Sequence, residues 1–317
     1  MMNIAIVGAG IIGKSHAEAI DKNPDCKLTV VADLDMTKAN EMAEKYGAIA
    51  CTDYKDILKY GKPDAVILNL PHFLHCPVSC YFLNQGVNVL VEKPMALNVA
   101  ECDAMIEAAE KNHAKLAVGH VQHYFGPFKV IKKIIDEKQL GRLCSIVETR
   151  NIDYFKPERP RWFLDKSKAG GGIVMNYCAH TMDKIFYTTG LNAVDVHSLT
   201  NNFLSDDTVE ASAQVLVELE GGVSAVLTFC GCRLPYEYYT EYFFTDGAVK
   251  VENNHDLYVS KNGRYEQVEW TEEDVMDQQI AELVKLIRGE ESRIATAEHG
   301  RNVIKVLEKI VAKDCAR

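Results

Sequence analysis

No apolar run in the chain approaches membrane-spanning length, and no C-x-x-C pair occurs among its ten cysteines. The first absence argues against a bilayer-crossing helix. The second removes the usual spacing of a structural zinc site or a dithiol redox motif. The cysteines are scattered, mostly within apolar runs (Cys51, Cys76, Cys80, Cys102, Cys144, Cys178), and Cys230-Gly231-Cys232 lies in an expected strand. Buried reduced thiols fit that distribution better than disulfides. His72, His75, Cys76 and Cys80 lie close together but lack a recognised ligand spacing and a second cluster, so no metal is expected. Positive charge is also in deficit: 35 Lys and Arg against 45 Asp and Glu leave a formal charge of −10. Nucleic acids and anionic membranes are bound by basic surfaces, so neither is expected as a partner. Gly8 interrupts the short N-terminal apolar run, which therefore lacks a signal-peptide layout, and a cytoplasmic location is the default expectation.

What is present begins at Ile4-Ala5-Ile6-Val7, an apolar run short enough for a buried strand, leading straight into Gly8-Ala9-Gly10-Ile11-Ile12-Gly13. The pattern then turns helical through Ala17 and Ile20. In G-x-G-x-x-G the first glycine permits the tight turn, the second admits a pyrophosphate, and the third lets helix pack close to strand. The helix N-terminus, with roughly half a positive charge, then faces the phosphates. A second apolar run, Leu28 to Ala32, ends in Asp33 about 20 residues beyond the turn, where a carboxylate accepts from the adenosine ribose hydroxyls. That carboxylate repels a 2′-phosphate and no arginine follows it, so NAD is expected over NADP.

At 317 residues two domains are the natural expectation. Short apolar strands alternate with helices as far as Lys115 to Gly119, which implies a parallel, doubly wound sheet. Beyond a helix over residues 127–138 the pattern changes to longer alternating strands, as in Val209 to Leu219, joined by hairpin turns at Gly221-Gly222, Asp246-Gly247 and Asn262-Gly263. The expected division is a dinucleotide-binding domain over residues 1–122 and a second α/β domain over 123–317. The sequence leaves open which domain the last helix, residues 298–312, packs on.

Two stretches carry candidate chemistry. Glu92-Lys93-Pro94 follows the fifth strand, and ligands of doubly wound sheets bind at the carboxyl ends of the strands. An ammonium at Lys93 can hold a substrate oxygen and stabilise developing alkoxide charge, while Pro94 fixes the turn and is compatible with a cis bond. On the tripeptide alone, a solvated Glu-Lys pair explains it equally well. The second stretch is Gly170-Gly171-Gly172 followed by an apolar helix with a polar stripe at Asn176, His180 and Asp183. The spacing i, i+4, i+7 places all three within roughly a 60° arc. A histidine there can serve as general base near neutral pH. Taken alone, the stripe is better read as a satisfied core histidine with Asp183 orienting its ring.

Together these features resemble the glucose-fructose oxidoreductase and inositol dehydrogenase family (Gfo/Idh/MocA): Gly8 to Gly13 followed by His16, then Asp33, Glu92-Lys93-Pro94, and Gly171-Gly172 leading to Asn176, His180 and Asp183. The resemblance covers nearly the whole chain. It implies an N-terminal Rossmann domain and a C-terminal α/β domain on an open, mostly antiparallel sheet, commonly an oligomer interface, so a homodimer or homotetramer is expected. It also matches the family's lysine to Lys93 and its catalytic histidine to His180. The cofactor-binding set expected along NAD is Gly8, Gly10, Ile11, Ile12, Gly13, Asp33, Leu70, Pro71, His75, Glu92 and Lys93. Two departures stand out: Asn176 replaces the usual aspartate and cannot take a proton, and His123 stands where arginine is frequent. A different substrate pocket follows.

The loop from Ile152 to Ala169 holds Tyr154, Phe155, Arg159, Arg161, Trp162 and Phe163, which suit a sugar-like ligand; a packed connector explains it equally well. His123, Tyr154 and Trp162 are the expected substrate contacts. The expected activity is hydride transfer between a secondary hydroxyl of a sugar, polyol or glycoside and nicotinamide. His180 takes the hydroxyl proton, Lys93 holds the oxygen, and Asn176 and Asp183 orient the pair. Two alternatives stay open: an NAD-retaining enzyme that cleaves or epimerises glycosides, and a non-catalytic dinucleotide or sugar sensor.

Overall fold

Strands buried on both faces read as unbroken apolar runs, and Ala65-Val66-Ile67-Leu68, with no exposed surface, is one of them. In the computed structural model, which describes residues 1–202 and 209–312, that run is the centre of a six-stranded parallel sheet. Its elements are β1 (Met2–Val7), α1 (Ile11–Lys22), β2 (Cys26–Ala32), α2 (Met36–Tyr46), β3 (Ile49–Cys51), β4 (Ala65–Leu68), α3 (His75–Leu83), β5 (Asn88–Glu92), α4 (Val99–Lys111) and β6 (Leu116–Gly119). The strand order β3-β2-β1-β4-β5-β6 reverses direction between β1 and β4. That switch point opens a crevice at the strands' carboxyl ends, where Gly8 and Asn69 lie.

The remaining elements are α5 (Gly126–Asp136), β7 (Leu143–Asn151), α6 (Lys166–Ala169), α7 (Ala179–Thr189), β8 (Ala193–Asn201), β9 (Ser212–Leu219), β10 (Ser224–Cys230), β11 (Glu237–Phe244), β12 (Gly247–Glu252), β13 (Asp256–Lys261), β14 (Arg264–Val268), α8 (Val275–Arg288) and α9 (Ala297–Ala312). Their eight strands form one sheet in the order β14-β13-β12-β11-β7-β10-β9-β8, antiparallel except where β10 runs parallel to β7. Buried and exposed residues alternate along β9, so one sheet face packs on helices and the other does not. The hairpin turns fall at Asp246 and at Asn262-Gly263, the latter pair with φ of 61° and 78°.

The chain forms two units: Met1–Val121 with Asp274–Arg301, and Gln122–Glu273 with the chain from Asn302 onward. Residues 274–301, expected with the second domain, cluster with the first unit. Ile280, Leu283 and Val284 of α8, with Ile294, join Ala17 and Ile20 of α1 in the core of the first unit. The apolar stripe of α8 thus belongs with α1. The last helix, left open by the sequence, is divided: Gly300 lies against Val118 and Met95 in the first unit, and Val311 against Gly171 in the second.

Candidate active site

The cofactor turn is built on close backbone approach. Gly8 adopts φ +97°, and a Cβ there would lie 2.3 Å from the Asn69 carbonyl oxygen; one on Gly13 would lie 2.1 Å from the Gly8 carbonyl oxygen. Gly10, by contrast, faces open space among the described residues. It is also the N-cap of α1, with no side-chain cap and no acidic residue in the first turn. By comparison, α2 and α4 are capped by Asp35 and Asn98. The first N–H groups of α1 are thus left for an anion. Asp33 is held by two backbone donors, Ala9 N–H to Oδ2 at 2.7 Å and Asp35 N–H to Oδ1 at 2.8 Å. Each oxygen keeps a second lone pair for a ribose hydroxyl. Ile11, Ile12, Leu34 and Met36 expose apolar side chains around this turn. These features fit a dinucleotide.

Behind the turn runs a buried polar chain. His16 Nδ1 lies 2.8 Å from Asn69 Oδ1, and its Nε2 lies 3.0 Å from Gln279 Oε1 and 3.7 Å from Glu92 Oε1. Among the described residues the buried Asn69 amide nitrogen has no hydrogen-bond partner, and it lies beside Gly13. Burial pushes the Glu92 carboxyl above its ordinary value, against the pull of His16 and Lys93. Glu92 Oε2 accepts from the Lys93 N–H at 3.2 Å, and the Lys93–Pro94 bond is cis. Leu70 and Pro71 are half-buried at the end of β4.

His75, expected along the cofactor, lies among backbone carbonyls. It is 0 % exposed, and its ring nitrogens lie 2.8 Å from the carbonyl oxygens of Leu70 and Pro94. The neutral ring can donate its one N–H to either carbonyl, so the residue bridges the end of β4 and the turn that carries Lys93. Burial pushes its pKa down.

In the second unit, the glycine run is set by Val209 and Glu210. A Cβ on Gly172 would lie 2.3 Å from the Glu210 carbonyl oxygen and 3.0 Å from Val209 Cβ. The Glu210 carboxylate accepts from the N–H groups of Gly172 at 2.7 Å and Val174 at 2.9 Å, capping the helix start. The expected uninterrupted helix begins instead as a π-helical turn, Val174–Cys178, before α7. Such turns recur at functional sites. Asn176 on this turn is buried, and His180 at the start of α7 is half-buried. Asp183, fully buried, has its Oδ1 2.7 Å from His123 Nε2, and the His123 ring stacks on Tyr187 at 4.4 Å. Asp183 therefore holds His123, a partner the helical spacing did not reveal.

Tyr154, expected on the substrate, is 0 % exposed, with its ring 6.0 Å from that of Tyr177. Its hydroxyl is within electrostatic reach of the Asn176 side chain, and burial pushes its pKa up. It packs beside the π-helical turn. Trp162 is half-buried and stacks on Phe163 at 3.7 Å.

A second polar group escaped the sequence reading. Glu148 on β7 and Lys184 on α7 form a fully buried ion pair. Lys184 also donates to the hydroxyls of Tyr238 at 2.8 Å and Thr240 at 2.7 Å, and Thr240 donates to Glu148 at 2.8 Å. Thr181 donates to the other Glu148 oxygen. Charges at alternate strand positions look like ordinary solvated residues in sequence, so only the sheet shows that they are inside.

Residues 2–120 match the family model described as oxidoreductase family, NAD-binding Rossmann fold, and residues 128–250 match the GFO/IDH/MocA C-terminal domain. An inositol 2-dehydrogenase of Arthrobacter sp. (strain FB24) is 27% identical over 274 residues, covering 83% of this chain and 77% of that protein. Among solved structures, GenD2 from gentamicin A biosynthesis, in complex with NAD, superposes with a TM-score of 0.84 at 22% identity, covering 98% of this chain and 93% of that one. The aldose-aldose oxidoreductase of Caulobacter crescentus, complexed with glycerol, superposes with a TM-score of 0.88 at 21% identity, covering 98% and 96%. The structural likenesses show the shared fold, and the two family models together span most of the chain. The chain belongs to the Gfo/Idh/MocA family of oxidoreductases with an NAD-binding Rossmann fold.

Proposed function

We propose that the protein is an NAD-dependent dehydrogenase acting on a secondary hydroxyl of a sugar, polyol or glycoside. The observation that carries this reading is His180, half-buried at the junction of a π-helical turn and α7, one helical repeat from Asn176, in a chain of this family. His180 takes the hydroxyl proton, Asn176 orients the hydroxyl, and the Lys93 ammonium hydrogen-bonds its oxygen. Bound NAD would supply the hydride acceptor. The name of the Arthrobacter relative supports a polyol or sugar as substrate.

NAD over NADP is supported by Asp33, whose two oxygens are fixed by backbone donors where a 2′-phosphate would add like charge. The first unit would hold the cofactor and the second the substrate. Self-association as a homodimer or homotetramer is supported by the outer sheet face, where Leu216 pairs with Val226 and both, with Leu199, are exposed. A cytoplasmic location is part of the same reading; among the described residues, no helix is long and apolar enough to cross a membrane.

The test is NADH formation across a panel of sugars, glycosides and inositols, repeated with NADP. His180→Ala should lower kcat by about 100-fold or more with NAD affinity nearly unchanged. Tight NAD binding with no turnover of any compound sinks the reading in favour of a sensor. Conversion of glycosides without net NADH favours the redox-neutral alternative.

A further inference from the structure

The face of β7 that carries Glu148 also carries Arg150, two residues further along. Glu148 is satisfied by Lys184, Thr181 and Thr240. Arg150 is not. Its guanidinium sits between the rings of Tyr177 and Tyr238, 4.1 and 4.2 Å from their centroids. Among the described residues its Nε and Nη1, both sealed from solvent, meet no hydrogen-bond acceptor. Two acids of the same unit are committed elsewhere. Glu148 is taken by Lys184, and Glu210 by the N–H groups of Gly172 and Val174. Asp153, two residues beyond the end of β7, has a buried Oδ1 with no hydrogen-bond partner and forms no ion pair with Arg150 among the described residues.

A second cation lies along the same aromatic row. The Arg159 guanidinium is 3.9 Å from the Tyr154 ring and 5.1 Å from that of Phe163, and its Nε donates to the Tyr154 carbonyl. Tyr154 and Tyr177 are neighbours, and Tyr177 directly follows Asn176 on the π-helical turn. Two guanidinium groups without a carboxylate partner among the described residues thus flank the turn that bears Asn176. Stacking on rings satisfies the faces of a guanidinium, not its N–H edge, and a buried N–H edge calls for an oxyanion. A neutral sugar hydroxyl accepts a hydrogen bond but leaves the charge uncompensated.

We propose that the substrate is an acidic carbohydrate, bearing a carboxylate or a phosphate, and that Arg150 binds that group. This rests on the dehydrogenase reading for the word substrate, whereas the binding preference does not need it. Binding of D-glucuronate, D-glucose 6-phosphate and D-glucose to the NAD-loaded full-length protein is measured by calorimetry, with NADH formation followed in parallel. At least one acidic probe should bind about tenfold or more tightly than glucose, and added salt should erode that preference. The glucuronate and phosphate arms identify which oxyanion the site takes. Arg150→Met should bring the ratio of acidic to neutral affinity close to one. Arg150→Lys, which keeps the charge and loses the fork, should fall between.

Glucose bound as tightly as both acids, or a preference that survives Arg150→Met or is indifferent to salt, overturns the proposal. If Arg150→Met does not fold, as circular dichroism would show, Arg150→Gln and the salt dependence of the wild type decide. Acid-selective binding without NADH formation leaves this inference standing and removes the dehydrogenase. NADH formed from glucose with no acid preference does the reverse.

Discussion

The two units handle buried polarity in opposite ways. In the first, the interior polar groups are mostly neutral, with His16, His72, His75 and His120 buried beside amides, and much of their work is to hold backbone: His75 reaches the carbonyls of Leu70 and Pro94, and Asn69 and Glu92 buttress turns. Its ligand surface is made of main chain and an uncapped helix end. In the second, the interior holds the ion pair of Glu148 and Lys184, and the half-buried Arg150 lies on the same face of β7 as Glu148. A cofactor used across a family can be met by backbone, which every sequence possesses. A substrate that differs between members has to be met by side chains, and charged side chains need a buried scaffold of partners.

The largest test of this contrast is Lys184→Met, which strands Glu148 without its counter-ion. It should cost about 3–5 kcal/mol in urea unfolding. Adding Glu148→Leu to it should recover most of the loss, because a matched apolar pair has no charge to compensate. No recovery would show that the pair does more than neutralise itself.

Next in size are the glycines of the cofactor turn. Gly13→Ala forces a Cβ to within 2.1 Å of the Gly8 carbonyl, and overpacking of this kind costs about 1–3 kcal/mol. The NAD dissociation constant, read by quenching of protein fluorescence, should rise roughly 5- to 100-fold. Gly10→Ala meets no protein atom within 4 Å, so thermal stability should hold while NAD affinity falls. An equal loss of stability in both would place the strain elsewhere.

The smallest effects are in pH dependence, and both lower stability as pH rises, one in the acid range and one in the alkaline. Burial raises the Glu92 carboxyl, so its contribution to stability is fully present below the ordinary value of 4.5 and is lost as pH rises through the folded-state value. Glu92→Gln should therefore flatten the fall of Tm on leaving acid. Burial pulls Lys184 down, but Glu148 outweighs it and leaves the ammonium pushed up to about 12. Its contribution is present below the usual lysine range and should be lost only between about 10.5 and 12, a window Lys184→Met removes.

What was legible in the sequence is local. The strand into Gly8, the helix after Gly13, Asp33 at a strand end and the Asn262-Gly263 turn each depend on neighbours a few residues away, where periodicity and turn chemistry act. What was hidden depends on contacts across the chain. His16 meets Gln279 at a separation of 263 residues, and no pattern in either segment announces the other. His75 was expected along the cofactor and Tyr154, from its aromatic loop, on a sugar-like ligand; the fold buries both completely, which neither local pattern announced. The π-helical turn shifts register by one residue inside a run whose composition reads as ordinary helix. Arg150 and Glu148 alternate with their neighbours as a solvated strand would, and nothing in the sequence says which sheet face is covered.

The return of residues 274–301 to the first unit bears on how the protein is made. During synthesis the ribosome releases the dinucleotide-binding sheet early, yet Ile280, Leu283 and Val284, which seal α1, emerge only after all the strands of the second unit. Until then the nascent sheet carries an uncovered apolar stripe while the whole second unit is being added. An N-terminal fragment cut near residue 122 would be permanently in that state. Its dependence on chaperones, compared with that of a fragment to which residues 274–301 are supplied in trans, would measure how long the cell has to shield it.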